Sequence, residues 1–85
     1  MFYIYVLKNK ENFMYTVFTN DLRKRFKEHN DKRSTYTKYH GPYELMYYEA
    51  CIDESDARQR EEYLKSGKGK RYLKSRLKRF LSRTG

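Results

Sequence analysis

The sequence predicts one α+β domain: a three-stranded antiparallel sheet, a hairpin plus one strand, flanked by about three helices. Three observations predict it. Phe2 to Lys8 and Met14 to Thr19 are rich in tyrosine and β-branched residues, alternate with period two, and are separated by a short polar stretch. A third such segment, Glu44 to Ala50, follows a polar loop. Elsewhere apolar residues recur at i, i+3, i+4 and i+7, the period of a helix packed along one face. With 85 residues there is room for a single core, so residues 1–85 read as one domain.

The first strand sets Phe2, Ile4 and Val6 on one face and Tyr3, Tyr5 and Leu7 on the other. Asn9 to Asn12 is turn-like, and a turn centred on Lys10 sets Tyr5 opposite Tyr15 and Tyr3 opposite Val17. All four then share one face. Thr19 or Asn20 can cap the first helix, Asp21 to Asn30, with Asp21 favoured at its positive end. The inward stripe of that helix is Leu22, Arg25, Phe26 and His29, so two polar residues occupy core-facing positions. Asp31 to Tyr43 reads as a polar loop closed by Gly41-Pro42. The third strand alternates Leu45, Tyr47 and Glu49 against Met46, Tyr48 and Ala50. Asp53 or Ser55 can cap a second helix that runs to about Lys65, with Ala57, Arg60, Glu61 and Leu64 inward. Ser66-Gly67-Lys68-Gly69 reads as a chain break. A basic third helix over about 71–81 carries Leu73, Leu77, Phe80 and Leu81 inward.

Composition narrows the function. Cys51 stands alone, which excludes an internal disulfide and a Cys-rich zinc site and points to a reducing cytoplasm. No apolar run approaches the roughly 18 residues of a membrane span, and the N-terminus lacks a basic leader. The net charge is +9, and it is not spread evenly. Through residue 64 the chain holds 11 basic and 11 acidic residues, whereas 65–85 holds nine basic and none acidic. Such a block attracts a polyanion through Coulomb forces and counterion release. Lys65, Lys68, Lys70, Arg71, Lys74, Arg76 and Lys78 are therefore candidate phosphate contacts, with tyrosines available to stack on bases.

Phosphodiester hydrolysis needs a proton acceptor for water, a cation on the phosphate oxygens and stabilisation of the leaving oxygen. Tyr5, Tyr15 and His29 offer the first, Arg25 the second, and Glu61 a metal carboxylate for the third. Each alone also has a structural reading. Tyr5 and Tyr15 can be a cross-strand pair worth about 0.2–1 kcal/mol. Arg25 can pair with Glu28 or Asp21, His29 can cap its helix, and Glu61 can pair with Lys65.

The order YIY, then YTV, then DLRKRFKEHN, STYTKY and ARQREEYLKSGKG resembles the GIY-YIG endonuclease superfamily, in particular its small stand-alone bacterial members. The resemblance covers nearly the whole chain. It implies a three-stranded antiparallel sheet flanked by helices, and a metal-dependent endonuclease acting on DNA, branched or single-stranded. The superfamily includes homing and restriction enzymes, an incision subunit of DNA excision repair and a branched-DNA resolving nuclease. By resemblance Tyr5 is the general base, Tyr15 orients water or phosphate, and Arg25 stabilises phosphate charge. His29 assists proton transfer and Glu61 holds one Mg²⁺ or Mn²⁺. A small domain of this type can rely on a protein partner for targeting. Three positions depart from the pattern: Tyr3 and Val17 replace motif glycines, and Ser75 replaces a helix asparagine. Val17 projects from the face that carries Tyr15. Its bulk and the departure at Ser75 motivate a second reading, a nucleic-acid-binding module with a degenerate, inactive site. A third reading, an adaptor that uses its tyrosine-rich surface to bind protein, is disfavoured by the +9 charge.

Overall fold

The period-two alternation of the first segment produces a central strand. In the computed structural model, which describes residues 1–30 and 43–84, β1 (Phe2–Asn9) lies between β2 (Met14–Thr19) and β3 (Tyr43–Cys51), antiparallel to both. A central strand is covered on both faces, and Ile4, Tyr5, Val6 and Leu7 are all fully buried. Its two faces belong to two cores. Ile4 and Val6 pack with Met46, Ala57, Leu64 and Leu73, while Tyr5 and Leu7 pack with Tyr43. Helix α1 (Leu22–Asn30) covers the tyrosine face through Leu22 and Phe26. Helices α2 (Glu54–Lys65), α3 (Gly67–Arg76) and α4 (Lys78–Thr84) cover the aliphatic face. Among the described residues the flanking helices number four, because the expected C-terminal helix begins earlier and divides.

The hairpin register differs from the expected one by two residues. Tyr5 pairs with Val17, Leu7 with Tyr15 and Tyr3 with Thr19. The turn centres on Glu11 rather than Lys10. The Asn12 N–H donates to the Asn9 carbonyl at 3.0 Å, and Asn12 adopts a left-handed φ of 68°. Asparagine tolerates that conformation better than most residues. The Asn9 side-chain oxygen accepts from the N–H groups of Glu11 (2.9 Å) and Phe13 (3.0 Å). This is a three-residue hairpin loop whose last member is left-handed. A slip of two residues keeps side-chain parity, so Tyr3, Tyr5, Tyr15 and Val17 remain on one face while their partners change.

Strand β3 breaks its own alternation. Val6 pairs with Tyr47, yet Leu7 pairs with Leu45, which leaves Met46 as an extra residue in a bulge. Met46 is buried in the aliphatic core with Tyr47 packed beside it, whereas Leu45 joins the tyrosine core. Leu45 and Tyr47 therefore do not share a face. An uninterrupted period-two count cannot register an inserted residue.

Capping sets the helix starts. Asp21 is the cap of α1 rather than a first-turn residue: its carboxylate accepts from the Lys24 N–H at 3.2 Å. Thr19 supports it by accepting from the Asp21 N–H at 3.0 Å. Asp53 caps α2, accepting from Ser55 (2.8 Å) and Asp56 (3.2 Å). Ser66 ends α2 and caps α3, accepting from the Gly69 N–H at 3.1 Å. Gly67 to Gly69 are thus the first turn of α3, not a break. Gly69 serves close approach, since a Cβ there would run into the Tyr63 carbonyl oxygen and lie 2.6 Å from Leu64 Cα. The expected single helix over 71–81 divides at Leu77, whose φ of −106° interrupts the α-helical run. Leu73, Leu77, Phe80 and Leu81 still face inward, as their spacing predicts.

A polar network ties α2 to the edge strand. Arg60 donates to both Glu49 oxygens, at 2.9 and 2.6 Å. The Tyr47 hydroxyl donates to Glu49 at 2.9 Å and lies 3.3 Å from the Tyr72 hydroxyl. The Arg60 guanidinium also stands over the rings of Tyr63 (4.9 Å) and Tyr72 (5.5 Å). Hydrogen bonding from Arg60 holds the Glu49 carboxyl below the usual glutamate range, against the effect of burial. Burial, with help from Tyr72 and Glu49, pushes the Tyr47 hydroxyl above the usual phenol range.

Two outcomes follow from this packing. Gly69→Ala should destabilise the fold by about 3 kcal/mol, as an overpacked position between backbones, which urea denaturation would measure. Pairing lowers the folded-state pKa of Glu49, so its stabilisation is complete above the unfolded glutamate pKa and fades as pH falls through the lowered value. Glu49→Gln should therefore lose about 1–2 kcal/mol at neutral pH and flatten the acid side of the stability profile. Melting temperatures measured from neutral pH into the acid range would check both effects.

Candidate active site

Helix α1 lies over the face that carries Tyr5. Leu22, Arg25 and Phe26 are half-buried against it, while Arg23, Lys24 and Lys27 are exposed. The predicted stripe thus faces the sheet, and it brings Arg25 to Tyr5. Burial pushes the Tyr5 hydroxyl above the usual phenol range. The Arg25 guanidinium opposes that rise through its charge and a hydrogen bond, while the Glu28 carboxylate adds to it. Tyr5 is therefore a neutral phenol beside a cation when no substrate is present.

Tyr15 sits on the same face and packs edge-on to Tyr43, with ring centroids 5.2 Å apart at 77°. Tyr43 is a member of this cluster that sequence reasoning missed. The sequence puts it at the end of the polar loop, and its one signal there is its place just before the third strand, after Gly41-Pro42. Val17 stands directly across from Tyr5 and packs into the tyrosine cluster, so its side chain is an immediate neighbour of the buried tyrosine. His29 belongs to the last turn of α1, four residues beyond Arg25, and its side chain lies outside the described residues. His40 and the STYTKY segment also lie outside them.

Glu61 stands apart from this group. It belongs to α2, whose Ala57 and Leu64 are buried against the opposite face of the sheet. Its side chain is 15% exposed and accepts from Arg58 at 3.3 Å and Lys65 at 3.0 Å. Arg58 in turn lies over the Phe18 ring of β2 at 3.6 Å, which puts this acidic position on the β2 side of the sheet. The structure brings Tyr5, Tyr15 and Arg25 to one face and holds Glu61 in the other layer. A site that uses all four must be completed around the β2 edge. Among the described residues no group of three His, Cys, Asp or Glu side chains could hold a metal by itself. Glu62 faces solvent, as its angle from Glu61 requires.

The seven predicted phosphate contacts, Lys65, Lys68, Lys70, Arg71, Lys74, Arg76 and Lys78, are all exposed. They run from the end of α2 to the start of α4, in the layer opposite Arg25. Ser75 is exposed on α3 and belongs to that layer too. Closer to Tyr5, the exposed cations are Arg23, Lys24 and Lys27 of α1. The regional charge balance concealed them, because acidic residues elsewhere cancel them in the sum. Among the described residues no helix is long and apolar enough to cross a membrane.

Residues 1–81 match the family model described as the GIY-YIG catalytic domain. The chain is 42% identical over 66 residues to a UPF0213 protein of Clostridium perfringens, covering 76% of this chain and 71% of that one. It is 45% identical over 64 residues to the UPF0213 protein YazA of Bacillus subtilis, covering 74% and 65%. The chain thus spans less than two thirds of the Bacillus protein's length. No solved structure matches it.

Val17→Gly tests the packing of this face. Removing a half-buried side chain and loosening a strand should cost about 1–3 kcal/mol. Denaturant titration of the variant beside wild type reads the loss directly.

Proposed function

This chain belongs to the GIY-YIG catalytic domain family, a nuclease-type family, and from that premise we propose that it is a divalent-metal-dependent endonuclease hydrolysing DNA phosphodiester bonds. The observation that carries this reading is Arg25 against the buried Tyr5 hydroxyl, on the face that also holds Tyr15. A guanidinium presents parallel donors to the non-bridging oxygens of a phosphate. As those oxygens gain charge in the transition state, that contact strengthens. Tyr5 keeps its proton at rest, so it first donates a hydrogen bond. It becomes the acceptor for the water's proton only after passing its own on. We assign His29, one helical turn beyond Arg25, to receive that proton. Tyr15 orients the water or the phosphate.

Glu61 is the residue we assign to a single Mg²⁺ or Mn²⁺. One carboxylate, completed by water and substrate oxygens, suits such hard cations. Arg58 and Lys65, both more than half exposed, can release Glu61 into solvent without disturbing the core. A bound ion would neutralise charge on the leaving oxygen. The exposed cations of α3, with Lys65 and Lys78 at either end, would grip the DNA backbone.

Val17 favours a second reading, a nucleic-acid-binding module that does not cleave, because its side chain occupies the space across from Tyr5. Incubation with branched, nicked and single-stranded DNA in Mg²⁺ or Mn²⁺ separates the two. The nuclease reading expects cleavage by wild type and losses of roughly 100-fold or more in Arg25→Ala and Glu61→Ala, with DNA affinity kept in Glu61→Ala. Cleavage that survives Glu61→Ala would end the proposed mechanism. Cleavage by Val17→Gly alone would establish the second reading for the natural chain.

A further inference from the structure

The tyrosine face carries an open aromatic cleft of about 310 Å³, beside Tyr5 and away from the hairpin turn. Tyr3, Tyr48 and the start of α1 from Asn20 to Arg23 line it. Tyr48 pairs directly with Tyr5 in the β1–β3 ladder, and Tyr3 lies two residues from Tyr5 on the same face. The Tyr3 and Tyr48 rings stand 6.5 Å apart at 55°. Tyr48 is 55% exposed although it lies in mid-strand. Among the described residues, neither hydroxyl makes a hydrogen bond. Burial and polar pairing therefore give Tyr48 little role in the fold.

We propose that this cleft receives an unpaired base of the DNA strand whose phosphate lies at Arg25 and Tyr5. The inference rests on reading Arg25 and Tyr5 as the phosphate contact. Two tilted rings open to solvent offer a stacking surface to any base, because every base has a π-face. The charge beside the cleft suits a phosphate backbone: α1 carries Arg23, Lys24, Arg25 and Lys27 against one acidic residue, Glu28, and Arg23 is exposed at the rim. The Asp21 carboxylate in the lining caps α1, accepting from the Lys24 N–H at 3.2 Å, and offsets one of those four cations. A base inside a duplex is stacked on its neighbours and cannot enter without leaving the helix. The cleft therefore selects single strands, or the unpaired bases of a junction or flap, over continuous duplex.

Fluorescence anisotropy in EDTA tests this without interference from cleavage, using a labelled single-stranded oligonucleotide and the same sequence as a duplex. Wild type should prefer the single strand. Tyr48→Ser should weaken single-strand binding about tenfold, within the range of one lost base stack, and leave duplex binding unchanged. Tyr48→Phe should bind as wild type does, and circular dichroism would show both variants folded. Unchanged single-strand binding in Tyr48→Ser, or an equal loss on duplex, would overturn the proposal. Failure of the nuclease reading has a separate signature, which is absence of cleavage with the Tyr48 effect intact.

Discussion

The burial of β1 on both faces is the constraint from which the rest of this molecule follows. Four consecutive residues, Ile4 to Leu7, have no solvent contact, and alternation sends them to different cores. Each face then needs its own helical cover, which is why so short a chain has two layers of helix. The same burial gives Tyr5 its chemistry. A phenol enclosed at the centre of a sheet holds its proton, and only a charge delivered by the covering helix can weaken that hold. Arg25 is that charge. The site and the core of the tyrosine face are one structure, with Leu22 and Phe26 fixing the helix and Arg25 placed between them.

The edge strands divide the remaining work. β3 uses Glu49, clasped by Arg60 and supported by Tyr47, to fix α2 across the aliphatic face. The pair joins the two elements through two hydrogen bonds from one guanidinium. β2 is bordered by the other end of α2's chemistry, where Arg58 covers Phe18 and reaches toward Glu61. Electrostatics is therefore split between layers. One face holds a small cationic helix near a buried phenol, and the other holds the long cationic block and the acidic position.

Much of this was legible in the sequence because its strongest signals are periodic. The two strands of the hairpin, the inward stripe of α1 and the inward leucines of the C-terminal region all follow from spacing alone. The family also follows from motif order. What spacing could not convey were features of one residue or one contact. The Asn12 turn shifted the register by two, and Met46 inserted into β3 without any compositional mark. Gly67 and Gly69 looked like punctuation because helix interiors disfavour glycine, yet Gly69 is required by the neighbouring backbone. Within the candidate site, the shared face of Arg25 and both tyrosines is readable from their positions. Tyr43 and the Arg60–Glu49 network were not, since their partners lie far away in sequence. Nor could residue types show that Glu61 belongs to the opposite layer, which is a matter of topology.

The junction at Ser66 has a mechanical meaning. One serine closes α2 and opens α3, and Gly69 lets the new helix press against the backbone of the old one. Such a joint leaves no linker between the two helices, which meet as an elbow. Glu61 and Lys65 are on one arm, and most of the cations proposed to contact phosphate are on the other. The span between those cations and Glu61 is then set by helix geometry and not by a loop. In the proposed binding mode, the offset between a strand's backbone and Glu61 would then depend on how the two helices meet at Ser66, not on base sequence.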